Sequence, residues 1–255
     1  MTSSLHIETD QRGVCTLTLN RPERHNAFDA ELIDELLSAL KNISNDDEIR
    51  IVIITGSGES FSSGADLNWM RSMVDYDEET NRQDAQQLSN LMHSLYALSK
   101  PTIACVNGPA FGGGIGLIAC CDIAIATNTA QFAFTEVRLG MAPAVISPYI
   151  LMTIGPRQAR RLFLTAERFD SHEALSLGLV HQVTDLDELD EAIDKQVHHL
   201  LKAGPEAVKA CKSLTQNTTD EHELSNLIAR LRTSAEGQEG LKAFLEKRKP
   251  SWVKS

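Results

Sequence analysis

The sequence predicts an α/β fold of stacked strand–strand–helix units followed by a helical C-terminal region. Three observations carry this. Short apolar or β-branched runs recur at residues 51–56, 102–106 and 122–126, too brief for helices and apolar enough for strands buried on both faces. Glycine-containing turns follow the first two runs and open onto helical patterns. After Thr184 only helical spacing remains.

The elements follow in order. Residues 5–20 alternate and then turn apolar at Val14, Thr16, Leu17 and Leu19, closing on Asn20-Arg21-Pro22, which reads as a strand or hairpin arm ending at a proline-marked loop. From Asp29, the residues Leu32, Ile33, Leu36, Leu37 and Leu40 share one face of a helix with acids at its start. The strand at 51–56 leads to the turn Phe61-Ser62-Ser63-Gly64-Ala65-Asp66. Residues 69–95 are polar and charged, with Met70, Met73 and Tyr76 interspersed; they are expected to be the most mobile segment, forming a helix beside a site. The strand at 102–106 runs into Gly112-Gly113-Gly114, an apolar helix over 115–121, and a third strand at 122–126. Beyond 186, Leu189, Ile193, Val197 and Leu200, then Leu224, Leu227, Ile228 and Leu231, keep helical spacing. A boundary is expected near 190, separating a core (1–190) from a helical region (191–255) that packs on a neighbour.

Composition narrows the function. The 255 residues carry a net charge of −11, which argues against a dedicated nucleic-acid binder, since such a protein normally shows a basic face. No run approaches the ~20 apolar residues that cross a bilayer. The first ten residues have neither a basic nor an apolar leader region and carry acids, so a secretory signal is not expected. The 5 cysteines sit mostly in apolar runs without metal-ligand spacing, which suits free thiols in the cytoplasm and no metal.

Two turns carry the chemistry. Small residues at Gly64-Ala65 and Gly112-Gly113-Gly114 let a ligand approach the backbone, and the N-terminus of a helix offers unpaired N–H groups. Two such turns converging on one point would make an oxyanion hole. Tight helix–strand packing is the plainer reading of a lone glycine triplet. A phosphate loop fits poorly, because Ile115-Gly116 stands where Lys-Ser/Thr would follow.

Taken together, Asn20-Arg21-Pro22 with Asn26-Ala27, Ser63-Gly64-Ala65-Asp66-Leu67, Asn107-Gly108 leading to the glycine triplet, residues 121–126, Phe132 to Gly140, and Leu164-Thr165 through Gly178-Leu179-Val180 resemble the crotonase (enoyl-CoA hydratase/isomerase) superfamily. Each motif alone is weak; their order and spacing along the whole chain are specific. Residues 65–70 and 142–149 further resemble the bacterial hydratases that act on methylglutaconyl-CoA or carboxygeranoyl-CoA. The resemblance implies a crotonase-like spiral of ββα turns with a C-terminal helical trimerisation region, a homotrimer or dimer of trimers, an acyl-CoA thioester as substrate, and no cofactor beyond the coenzyme A of the substrate itself.

It also implies roles. The N–H groups of Ala65 and Gly113 would form the oxyanion hole, and Glu136 would exchange a proton with the α-carbon. Its neighbours Phe132, Phe134, Val137 and Leu139 are expected to raise its pKa; pairing with Arg138 is the non-catalytic alternative. Arg24, Ala27, Ser63, Asp66, Leu67 and Gly112 would contact substrate, with Arg24 near the CoA phosphates and Asp66 bracing its turn. Phe244 and Lys247 resemble tail residues that reach a neighbouring subunit's CoA. One position departs from the pattern: Gly116 stands where the family carries a second catalytic glutamate. Three readings stay open. A group from 69–95 or the Ser147 region holds the water; Glu136 acts alone, with a substrate carboxylate or ordered water in the gap; or the enzyme shifts a double bond instead. The expected activity is hydration of a branched or carboxylated 2-enoyl-CoA. A Δ3,Δ2-enoyl-CoA isomerase is the enzymatic alternative, and a non-catalytic acyl-CoA-binding or RNA-binding protein is the alternative of another class.

Overall fold

A computed structural model describes residues 3–216 and 220–253. Its strands are β1 (Leu5–Thr9), β2 (Val14–Leu19), β3 (Ile51–Gly56), β4 (Thr102–Val106), β5 (Ala110–Phe111), β6 (Ile123–Thr127), β7 (Gln131–Ala133), β8 (Phe169–Asp170) and β9 (Gln182–Thr184). The helices are α1 (Ala30–Asn45), α2 (Leu67–Met73), α3 (Glu78–Tyr96), α4 (Gly113–Cys120), α5 (Ser147–Thr165), α6 (Ser171–Leu177), α7 (Leu189–Lys202), α8 (Pro205–Gln216), α9 (Glu221–Thr233) and α10 (Ala235–Leu245).

The larger sheet has the order β1-β2-β3-β4-β6-β9; only the β1–β2 hairpin is antiparallel. The smaller sheet runs β5-β7-β8, and isolated bridges Phe28↔Ala65 and Ser62↔Ala110 extend it back along the chain. Each turn of chain thus gives one strand to the large sheet, a shorter stretch to the second layer, and then a helix. This is the stacked ββα spiral expected from the sequence.

The apolar strand runs follow from two cores, one on each face of the large sheet. Val52, Ile54, Ala104 and Val106 join the core under α1, α3, α4 and α5, while Ile51, Ile103 and Ile125 pack with Leu189, Ile193 and Val197 of α7 on the other face. Burying each Val, Leu or Ile side chain among them contributes roughly 1.5–3 kcal/mol. The expected boundary at 190 therefore falls at the start of a helix whose apolar face covers the sheet.

Local signals set the helix starts. Asp29 caps α1 by accepting from the Leu32 N–H, and Asp77 caps α3 by accepting from Thr80. Within the segment expected to be most mobile, α2 and α3 form, and α3 ends with Leu91, Met92 and Leu95 fully buried. Its polar start precedes an apolar final stripe. Pro156 follows a non-helical Gly155 and kinks α5.

The C-terminal helices are tied down by charge. Lys212 of α8 is buried, with its ammonium 2.7 Å from Asp122, which also accepts from the N–H and hydroxyl of Thr102. Arg50 donates to the carbonyls of Ala203 and Trp252, holding the α7–α8 turn and the chain's end against the core. By contrast, α9 has no buried residue, and Leu241, Phe244 and Leu245 of α10 are exposed, Phe244 at 81%. Among the described residues, no helix is long and apolar enough to cross a membrane.

Candidate active site

The second layer brings the two glycine turns together. Phe28 donates its N–H to the Gly64 carbonyl at 2.6 Å, and Asp66 donates to the Phe28 carbonyl at 2.7 Å. A parallel bridge of this kind uses the groups on either side of Ala65, so the N–H of Ala65 faces away from Phe28. A β-carbon on Gly64 would lie 3.0 Å from the Phe111 carbonyl oxygen and 3.9 Å from the Gly113 nitrogen, so this turn lies against the head of α4. Gly113 is the first residue of α4, where an N–H has no partner within its helix. The structure thus brings the two expected oxyanion donors into one neighbourhood.

Glu136 sits over the same turn. It opens a short 3-10 turn, Glu136–Leu139, two residues after the buried Phe134, and a β-carbon on Gly112 would stand 2.9 Å from its Oε1. Gly112 has φ +47°, a conformation that glycine takes without penalty, and this lets the carboxyl lie on bare backbone. Among the described residues, Oε2 is buried without a hydrogen-bond partner. Burial pushes the carboxyl above the usual glutamate range, against a smaller opposing effect from its own backbone N–H. The source of that burial differs in part from expectation. Phe132 and Phe134 are buried, but Val137 and Leu139 are exposed on the outer side of the 3-10 turn. Arg138 donates to the Ala166 carbonyl at 2.8 Å.

Arg24, Ala27, Ser63, Ala65, Asp66 and Leu67 share one groove of about 360 Å³, which His25, Asn68 and Arg71 also line. Arg24 is half-exposed there and makes an ion pair with Asp66 at 3.0 Å, so it already has a carboxylate partner in this state. Ser63 donates to the Arg24 carbonyl, and Ala27 is buried beneath. Asp66 braces its turn as expected, accepting from the N–H groups of Asn68 and Trp69 at the head of α2. Burial alone would raise its pKa; these amides and the Arg24 guanidinium outweigh that and hold it below the usual aspartate range. Phe244 and Lys247 lie elsewhere, exposed at the end of α10 and just beyond it.

Gly116 faces no gap. A β-carbon there would overlap the Cγ2 methyl of Ile146 and stand 3.2 Å from Met92 Cε, and both neighbours are buried. The position therefore has no room for an ordered water or a substrate carboxylate, which removes that part of the second open reading. Ser147 is also occupied, donating to the Ala144 carbonyl. Among the described residues, no group of three or more His, Cys, Asp or Glu side chains is placed to hold a metal.

The sequence reading missed two residues. Arg21 was visible only as part of a motif, yet it is 7% exposed and donates to the Ala27 carbonyl, Asp29 and Asp66; a charge between a buried strand and a proline was the available signal. Ile146, thirty positions from Gly116, left no local signal of their contact.

With this geometry in view, comparison with known proteins is direct. The enoyl-CoA hydratase/isomerase family model matches residues 9–255. A crotonyl-CoA hydratase from Syntrophomonas wolfei is 33% identical over 255 residues, covering 97% of this chain and 96% of that protein. A Legionella pneumophila protein described as an enoyl-CoA hydratase/isomerase (crotonase) superposes with a TM-score of 0.92 at 47% identity, covering 99% of this chain and all of that one. The crystal structure of an enoyl-CoA hydratase from Shewanella pealeana gives a TM-score of 0.93 at 44% identity, covering 98% of this chain and 96% of that one.

Proposed function

The chain belongs to the enoyl-CoA hydratase/isomerase family, and on that premise we propose that it hydrates a 2-enoyl-CoA at the Glu136 turn, with the N–H groups of Ala65 and Gly113 holding the thioester oxygen. The observation that carries this is the Glu136 carboxyl, raised in pKa by burial, with Oε2 unpartnered and Oε1 lying over the glycine turn that opens α4.

The chemistry follows from charge. A thioester conjugated to a double bond accepts a nucleophile at C3 because the resulting negative charge falls on the carbonyl oxygen, where two preorganised N–H donors lower its energy. Glu136 in its acid form supplies a proton to C2 while water bonds to C3. The proton that this water sheds restores the acid, so one water is added and nothing else is consumed. A carboxyl titrating above the ordinary range is suited to both halves of this exchange. Arg24 and Arg71 line the groove beside Ala65, where Glu23 and Asp66 also stand, and are the bases at hand for an anionic CoA that an otherwise acidic protein would repel.

The acyl group we propose is branched or carboxylated, 3-methylglutaconyl being the example that residues 65–70 and 142–149 suggest. Any carboxylate on it would have to turn away from Ile146 and Met92, which offer only apolar atoms beside Gly116. The exposed apolar residues of α9 and α10 support the expected homotrimer or dimer of trimers, with Phe244 and Lys247 serving a neighbour's substrate, and the cytoplasm is the setting proposed for the enzyme.

A second reading has its own observation. Among the described residues apolar Ile146 and Met92, and no second carboxylate, stand against Gly116, and one base suffices to take a proton from C2 of a 3-enoyl-CoA and return it at C4. Product analysis with purified protein on crotonyl-CoA, 3-methylglutaconyl-CoA and a 3-enoyl-CoA separates the readings. A 3-hydroxyacyl-CoA supports hydration, whereas only a moved double bond transfers the assignment to isomerisation. Binding of CoA esters without turnover of any would leave the non-catalytic reading.

A further inference from the structure

Behind the Ala65 turn, one buried guanidinium joins two helix caps. Arg21 reaches Asp29 Oδ2 at 2.7 Å and Asp66 Oδ2 at 3.3 Å, and it donates to the Ala27 carbonyl at 2.7 Å. Asp29 is the N-cap of α1 and Asp66 the N-cap of α2. The loop holding Arg21 is itself fixed. Asn26, fully buried with φ +54°, accepts from the Arg21 N–H and donates to the Ser57 and Ser60 carbonyls, while Ser62 donates to the Asn26 carbonyl.

We propose that Arg21 is a positioning residue for the reaction: acting through Asp66, it sets the direction of the Ala65 N–H that receives the thioester oxygen. Asp66 follows Ala65 in the chain, and its backbone is held by Phe28 and its side chain by the amides of α2. The guanidinium closes the remaining side, because its planar fork engages Asp66 together with the Ala27 carbonyl and Asp29. Arg24 also pairs with Asp66, but it is exposed to the groove and is free to turn to an anionic ligand. Arg21 has no such exit, so Asp66 keeps a counter-charge when Arg24 leaves.

This rests on the proposed oxyanion role of Ala65, and the test separates the two. The variants are Arg21→Lys, which keeps charge and loses the fork, Asp66→Asn, which keeps a cap and loses the ion pairs, and the double variant. Four quantities are measured well below each variant's Tm: kcat and KM on crotonyl-CoA, the affinity for saturated butyryl-CoA, and the red shift of cinnamoyl-CoA absorption on binding, which reports polarisation of the thioester carbonyl. Each single variant is expected to lose kcat roughly 10- to 100-fold, since small misplacements of a donor cost that much. Butyryl-CoA affinity should change little for Arg21→Lys, the red shift should shrink, and the double variant should be no worse than the poorer single one. An Arg21→Lys enzyme with wild-type kcat and red shift overturns the proposal. So do additive losses in the double variant, or losses that track Tm while the red shift stays intact. Should Arg21→Lys fail to fold, Asp66→Asn with a full red shift overturns it equally. Wild-type protein that turns over crotonyl-CoA without any red shift would instead count against the oxyanion assignment itself.

Discussion

A β-carbon added at Gly116 would overlap the Cγ2 methyl of Ile146, so these two residues divide a single volume of the core. Alanine is normally the better helix former by about 1 kcal/mol. Here overlap outweighs propensity: Gly116→Ala should destabilise the fold by about 1–3 kcal/mol, in the range of overpacked cores. In an Ile146→Ala background, itself destabilised by the lost burial, the same added methyl should cost much less. Thermal unfolding of the two single variants and the double checks this, and additive losses would contradict a shared volume.

Glu136 predicts a pH signature in both stability and rate. Its folded pKa is raised, so the folded protein binds this proton more tightly than the unfolded chain. The resulting contribution to stability is complete below the ordinary glutamate range and is lost as pH rises through the raised folded value. Glu136→Gln should flatten that part of the stability–pH curve and cut kcat by roughly 10²–10⁴. In the wild type, the limb of the rate profile belonging to this group should lie above the usual glutamate range. A Glu136→Gln enzyme as active as wild type would sink the acid/base role.

Gly112 tests the contact between backbone and carboxyl. An alanine there would place its methyl 2.9 Å from Glu136 Oε1 and demand φ +47° of a residue that disfavours it. We expect Gly112→Ala to lower kcat by at least about tenfold through displacement of the carboxyl, with a smaller change in KM. Steady-state kinetics on crotonyl-CoA decide this, and a pure KM effect would place the damage in binding instead.

The exposed face of α10 predicts assembly. With Phe244, Leu245 and Leu241 bare on one chain, Phe244→Glu should shift the protein from the proposed trimer or dimer of trimers toward monomer. Light scattering after size exclusion reads the mass. A wild-type monomer would contradict the expectation.

What the sequence made legible follows the range of the interactions involved. Runs such as Ile51 to Ile54 announced themselves because both faces of the sheet are covered, and successive residues along the strand meet one core and then the other. The glycine turns and Glu136 were visible as motifs. The strands Ala110–Phe111 and Phe169–Asp170 were not, because two residues carry no period. Nor were pairings such as Arg21 with Asp66 or Gly116 with Ile146. These are settled by how successive turns of the spiral stack, and neither partner carries a local mark of the other. Val137 and Leu139 misled for a related reason: adjacency in sequence to a half-buried glutamate does not put them on its side of a 3-10 turn.

Lys212 shows where such long-range pairing leads. It lies in α8, among residues that look like a detachable tail, but its ammonium is enclosed and depends on Asp122 beside β6 for its counter-charge. Exchange of either residue would leave the chemistry at Glu136 untouched and lower the fraction of chains that survive folding. In a cell, such a variant would register as less enzyme rather than as slower enzyme.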